Sequence, residues 1–133
     1  MSQVEEHTDA SAPIYASWAE LLTWMQEIAR ERGLRYQKIS DFPDYIYRME
    51  RPYDLPVTTA SASICDRGGV PLLLASVSPR HVAAKSVQLR LMGGSRYWHL
   101  HAGAQGLQQG SWRLDRARLE ELVEQASKQA EAR

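Results

Sequence analysis

Long apolar runs are absent from this sequence of 133 residues. Its most apolar stretch, residues 70–77, is short and contains Pro71. A helix that crosses a membrane needs about 20 consecutive apolar residues, so this stretch is expected to be a buried strand. The length is enough for one domain with one core, and 44% hydrophobic residues are ordinary for a globular protein.

Cysteine is nearly absent as well, since Cys65 is the only one in the chain. A lone cysteine cannot form an internal disulfide, which small secreted domains often need, so a reducing compartment fits better. Residues 1–13 contain Glu5, Glu6 and Asp9 and no apolar run, which argues against a secretory signal. We therefore expect a cytoplasmic protein with a mobile acidic tail at residues 1–13.

Acidic residues are missing from the middle of the chain. There is no Asp or Glu between Asp66 and Asp115, although the whole sequence is neutral, with 16 basic and 16 acidic residues. An electrostatic function must therefore come from the distribution of charge and not from net charge. The cations of this region, with the aromatic and histidine residues among them, form the candidate binding set: Arg67, Arg80, Lys85, Arg90, Arg96, Tyr97, His99, His101 and Arg113.

An amphipathic helix is predicted near each end of the chain. Ser17 followed by Glu20 is a capping-box pattern that predicts the start of the first helix, and Gly33 suits its left-handed C-cap. The second helix is predicted to begin at Asp115. Its apolar stripe consists of Leu119, Leu122, Val123 and Ala126, and the first helix carries Trp18, Leu21, Leu22, Met25, Ile28 and Ala29 at helical spacing.

Strands are predicted between the helices, at residues 34–39, 45–50, 57–65, 70–77, 86–92 and 96–102. The glycines after Asp66 and Arg67 predict a hairpin turn between two of these strands. Residues 79–92 are ambiguous, and we favour a helical turn near 79–84 followed by a strand. Residues 103–110 are rich in glycine and are expected to form a loop.

The order of these elements predicts the fold class. Short connections join antiparallel neighbours, because a parallel crossover needs a dozen or more residues. We therefore expect an α+β fold, with a mainly antiparallel sheet of about five or six strands packed against an N-terminal and a C-terminal amphipathic helix. Residues 14–127 are expected to form a single domain, and residues 128–133 a frayed polar tail.

The candidate strand at residues 97–101 carries two histidines. Residues two apart share a face, so Tyr97, His99 and His101 are expected to point to the same side. A transition metal would need a third or fourth ligand, and no carboxylate lies nearby in the sequence, although His81 or Cys65 could arrive through folding. We therefore predict no metal site, no catalytic residue and no cofactor.

Three functions remain open from the sequence. The first is a small non-catalytic protein, an adaptor or chaperone-like regulator that binds another protein and self-associates as a homodimer. The second is a nucleic-acid-binding protein that uses the acid-free region 67–114. The third is a small enzyme or ligand-binding domain with a pocket near His99 and His101. Against a binding role, the arginines could be solvated and neutralised by Glu120, Glu121 and Glu124 of the last helix.

Overall fold

Two helices and seven strands make up the described part of the chain. The computed structural model describes residues 12–42, 59–77, 86–93, 96–103 and 105–131. The helices are α1 (Ala12–Arg32) and α2 (Arg116–Glu131). The strands are β1 (Arg35–Ser40), β2 (Ala60–Cys65), β3 (Pro71–Val77), β4 (Ser86–Leu91), β5 (Tyr97–Gly103), β6 (Gly106–Gln109) and β7 (Trp112–Arg113). The predicted α+β class is confirmed, with slightly more strands than expected.

The strands form one antiparallel sheet in which every strand pairs with its neighbour in sequence, in the order β1-β2-β3-β4-β5-β6-β7. The connection between β2 and β3 is the predicted hairpin turn, where Gly69 has a φ of 87° and donates its N–H to the carbonyl oxygen of Asp66 at 3.0 Å. Strand β4 confirms the favoured strand in the ambiguous region. The predicted strand at residues 45–50 and the helical turn at 79–84 lie outside the described residues.

Helix α1 begins earlier than the sequence pattern predicted. It starts at Ala12, so Ser17 lies inside the helix and its predicted role as the N-cap is wrong. Proline is tolerated in the first turn, where its missing N–H has no helical partner, so Pro13 does not delay the start. Ile14 and Tyr15 are both buried and extend the apolar stripe by one turn toward the N-terminus.

The end of α1 is the predicted glycine cap. Gly33 has a φ of 69°, and the N–H of Leu34 donates to the carbonyl oxygen of Ala29 at 2.8 Å. The N–H of Gly33 donates to the carbonyl oxygen of Arg30 at 3.4 Å. These two bonds define a Schellman motif, which turns the chain directly into β1.

Helix α2 agrees with the sequence at its start and along its apolar face. Asp115 caps it, because its carboxylate accepts the backbone N–H of Arg118 at 2.8 Å. The helix continues to Glu131, beyond residue 127, where the sequence predicts that the domain ends. Its buried residues are the predicted ones: Leu119, Leu122, Val123 and Ala126.

The predicted glycine-rich loop at residues 103–110 is wrong, because this region contains β6. Gly103 pairs with Gly106 and Ala102 with Leu107, so the glycines form a tight hairpin between β5 and β6. Gly106 has a φ of 100°, which a residue with a β-carbon rarely adopts. Leu107 is buried, and this contact anchors the short strand to the core.

One face of the sheet packs against both helices. The register aligns Ile64, Leu73 and Leu91 on this face, and all three are buried. Together with the apolar stripes of α1 and α2 they belong to a single hydrophobic cluster. Within the described ranges, neither helix is both long and apolar enough to cross a membrane.

Candidate docking surface

The sheet has a second face, opposite the helices, which we call the outer face. The register places residues of β3 to β7 side by side across it. Arg90 pairs with Tyr97, Gln88 with His99, and Ser86 with His101. The residues of β3 to β7 on the outer face are Leu74, Ser76, Ser86, Gln88, Arg90, Tyr97, His99, His101, Gln108 and Arg113.

The outer face carries positive charge with no acid beside it in the sheet. None of the seven described strands contains an Asp or a Glu. Arg90 and Arg113 are exposed, and no salt bridge among the described residues includes either of them. Within the described part of the chain, no carboxylate therefore neutralises these two charges.

The acidic residues of the helices neutralise other arginines. Glu120 and Glu124 of α2 lie 3.6 Å and 3.7 Å from the guanidinium of Arg32 at the end of α1. Arg116 of α2 contacts Glu27 at 3.2 Å and also contacts Glu31, and the hydrogen bond that its Nε donates to Oε1 of Glu27 raises the pKa of Arg116. Glu120 and Glu124 thus pair within the helical layer, and no salt bridge among the described residues joins a carboxylate of α2 to a cation of region 67–114.

Aromatic and histidine rings occupy the centre of the outer face. Tyr97, His99 and His101 point to the same side of β5, as the two-residue period predicts. Tyr97 is 58% exposed, and its ring meets that of His99 edge-on at a centroid distance of 5.7 Å. The backbone N–H of His99 donates to Oε1 of Gln109 at 2.8 Å. This side chain therefore holds the backbone of β5 at a position where β5 and β6 no longer pair.

Two of the predicted binding residues lie elsewhere. Arg67 is in the β2–β3 turn, where its Nε donates to the carbonyl oxygen of Gly33 at 3.3 Å. Arg96 lies on the helix side of the sheet, where Nη1 donates to Gln125 of α2 at 3.2 Å and the guanidinium stacks on Trp98. Arg80 and Lys85 lie outside the described residues.

On the helix side, beside the C-terminal helix, the two tryptophans of β5 and β7 form a stack. Trp98 and Trp112 are nearly parallel, at 18°, with a centroid distance of 5.7 Å. Arg96 lies over Trp98 at 5.2 Å, and Arg118 of α2 lies over Trp112 at 5.4 Å. This stack of two tryptophans and two arginines connects α2 to β5 and β7. Its position between these elements gives it a structural role.

The remaining chemical candidates are not assembled into a reactive site among the described residues. Cys65 is buried, with its Sγ 3.6 Å from Oγ of Ser63. No group of three or more His, Cys, Asp or Glu residues in the described ranges could hold a metal ion. The cleft of about 370 Å³ at the β5–β6 hairpin is lined by His101 and Gln108 but not by His99.

Arg35 is a further cation on the outer face that sequence reasoning missed. It pairs with Cys65 at the start of β1 and is exposed. It lies outside region 67–114, so a search limited to the acid-free interval could not include it. The signal for it was the alternation of Arg35 and Gln37 along a predicted strand.

The fold and the outer face define a small α+β protein in which one face of an antiparallel sheet is cationic and partly aromatic. A family model described as NADH-quinone oxidoreductase chain 15 matches residues 9–130. The curated protein NADH-quinone oxidoreductase subunit 15 of Thermus thermophilus is 47% identical over 114 residues, which cover 85% of this chain and 88% of that relative. The chain therefore belongs to the family of NADH-quinone oxidoreductase chain 15.

This membership corrects the functions expected from the sequence. The free-standing adaptor or chaperone-like protein, the homodimer, the nucleic-acid-binding protein and the small enzyme with a pocket near His99 and His101 are all wrong. The family and the relative are named as one chain of a multi-subunit oxidoreductase, a class that none of these hypotheses included. The pattern of charges along the sequence did not identify the class of partner, because arginine side chains bind phosphates and carboxylates alike.

Proposed function

We propose that this protein is a subunit of an NADH-quinone oxidoreductase and that its partners are other subunits of that enzyme. The observation that carries the proposal is the family match over residues 9–130. The identity of 47% to a protein named as subunit 15 supports it, because that similarity extends over most of both chains.

Within the enzyme we propose a structural role without electron transfer. An iron–sulfur cluster is ordinarily held by four cysteine thiolates, and this chain has one cysteine, which is buried. We further propose that the subunit lies on the cytoplasmic side, where NADH is available. The lone unpaired cysteine suits that reducing compartment.

Affinity purification of the tagged chain from its own organism tests subunit membership. We expect the chain expressed from its native locus to co-purify from detergent-solubilised membranes with other NADH-quinone oxidoreductase subunits and with NADH oxidation activity. The untagged strain is the control. If all copies of the chain sediment as a free protein of 15.1 kDa, the proposal is contradicted.

Removal of the chain tests the structural role. The complex purified from a deletion strain is expected to oxidise NADH with ferricyanide at the same initial rate per mole as the complete complex, but to lose its activity faster on incubation. A complex without the chain that is inactive from the start and equally stable would point to electron transfer instead.

A further inference from the structure

We propose that the outer face, centred on Tyr97, is the surface by which the chain docks, and that it contacts a surface rich in Asp and Glu on another subunit. This inference rests on the proposed function, because it names the surface through which subunit membership is achieved. The occupant follows from the charge of the face, from its exposed tyrosine and from the contrast with the helical layer.

The charge of the outer face calls for carboxylates. Arg90 and Arg113 are exposed, carry no ion pair among the described residues, and lie on strands that contain no acid. A guanidinium can bind a carboxylate through two parallel hydrogen bonds, which gives both strength and orientation. An acidic partner surface supplies such groups, and a basic surface would be repelled.

The helical layer has no excess of positive charge, because the two helices carry seven acidic and five basic residues. Arg32 and Arg116 pair with glutamates across the two helices, and Lys128 lies 3.5 Å from Glu124. An acidic partner approaching the helices would meet more carboxylates than cations, and several of those cations already have partners within the chain. Complementarity therefore favours the outer face over the helical face.

Tyr97 gives the face its anchor for a partner. Tyrosine and arginine are enriched among the residues that dominate interface energetics, and Tyr97 has Arg90 as its direct cross-strand neighbour. The pairing of β5 with β4 extends to Tyr97, so the backbone that carries this ring is fixed before binding. A preformed backbone lowers the entropy lost on association.

Rebinding of the purified full-length chain to a complex isolated from the deletion strain tests the surface. The double variant Arg90→Glu/Arg113→Glu and the single variant Tyr97→Ala are each expected to weaken rebinding by on the order of tenfold or more. The matched control, Arg30→Glu/Lys128→Glu, reverses two exposed charges on the helices and is expected to rebind within about twofold of the unmodified chain. Far-UV circular dichroism and urea midpoints verify that all variants are folded.

Salt provides a second measurement on the same proteins. Rebinding of the unmodified chain is expected to weaken as ionic strength rises, and Tyr97→Ala should keep this dependence because its charges are intact. The Arg90→Glu/Arg113→Glu variant should lose most of it. If rebinding of the unmodified chain and of this double variant depends equally on salt, the inference of an acidic partner surface is overturned.

The outcomes separate this inference from the proposed function. If the unmodified chain rebinds and the outer-face variants rebind equally well, the surface is wrong and subunit membership stands. If the unmodified chain neither rebinds nor co-purifies, subunit membership itself fails. Self-association, or binding to vesicles of equimolar phosphatidylcholine and phosphatidylglycerol, that is lost in the outer-face variants would overturn the inference by assigning the face to a second copy or to lipid.

Discussion

Gly33 occupies a position where the backbone and the surrounding atoms both favour glycine. Its φ of 69° lies in the left-handed region, where a β-carbon is strained. A β-carbon built there would lie 3.0 Å from Nη2 of Arg67, whose Nε donates to the carbonyl oxygen of Gly33. The end of α1 and the β2–β3 turn therefore meet at this one residue.

Replacement of this glycine should be costly for stability. Gly33→Ala is expected to lower the free energy of unfolding by about 1–2 kcal/mol, because the left-handed conformation is unfavourable for alanine and Arg67 must move. Urea denaturation followed by tryptophan fluorescence measures the change. Gly68→Ala is the control, since the nearest atom to its built β-carbon is Oδ1 of Asp66 at 3.4 Å and its φ is not in the left-handed region. Equal losses in both variants would contradict the explanation.

At the scale of elements, the arginine and tryptophan stack joins three pieces of secondary structure that share few other contacts. Trp112 lies on β7, which has only two residues, and Arg118 approaches it from the first turn of α2. Nη1 of Arg118 also donates to the carbonyl oxygen of Arg113 at 2.8 Å. The short strand is thus held to α2 by one ring and one hydrogen bond.

Removal of that ring should release β7. Trp112→Ala is expected to lower the free energy of unfolding by about 2 kcal/mol, because a half-buried aromatic stack and a cation–π contact are lost. Chemical denaturation measures the loss, and the near-UV circular dichroism of Trp98 should change with it. Tyr97→Ala removes an aromatic ring of 58% exposure and should cost less than about 0.5 kcal/mol. A Trp112→Ala protein as stable as Tyr97→Ala would show that the stack does not hold β7.

The elements that the sequence predicted are those whose signals are local. The cap and apolar stripe of α2, the glycine cap of α1 and the β2–β3 turn each depend on residues a few positions apart, and all three are confirmed. The start of α1 was wrong because Ser17 and Glu20 resemble a capping box, while burial of Ile14 extends the helix past it. β6 was missed because its stability comes from pairing with β5, which no local pattern records.

The candidate surface was predictable only within a single strand. Alternation along β5 placed Tyr97, His99 and His101 together without any knowledge of the sheet. The position of Arg90 beside Tyr97 depends on the β4–β5 register, and that register follows from packing of the opposite face. Strand pairing therefore decides which residues share the outer face. The distribution of charge along the sequence does not contain that information.

At the scale of the whole molecule, we propose that residues 14–127 form one folding unit, as the sequence predicts. One hydrophobic cluster extends from Ile14 in α1, through the inner face of the sheet, to Ala126 in α2, which supports the proposal. Urea unfolding is expected to be a single transition, with coincident midpoints from tryptophan fluorescence and far-UV circular dichroism. Two resolved transitions, or midpoints that differ between the two probes, would contradict it.

The sequential order of the strands has a consequence during translation. Each hairpin of the sheet can form as soon as its second strand emerges, but α1 contacts β5 and β6, which are made much later. The ribosome adds about 80 residues between Met25 and Leu107, which takes roughly 4–16 s at the usual rate of synthesis. During those seconds Trp18, Met25 and Ile28, which end fully buried, have no completed sheet to cover them. We therefore expect the nascent chain to present these side chains to general chaperones until its fifth and sixth strands are made.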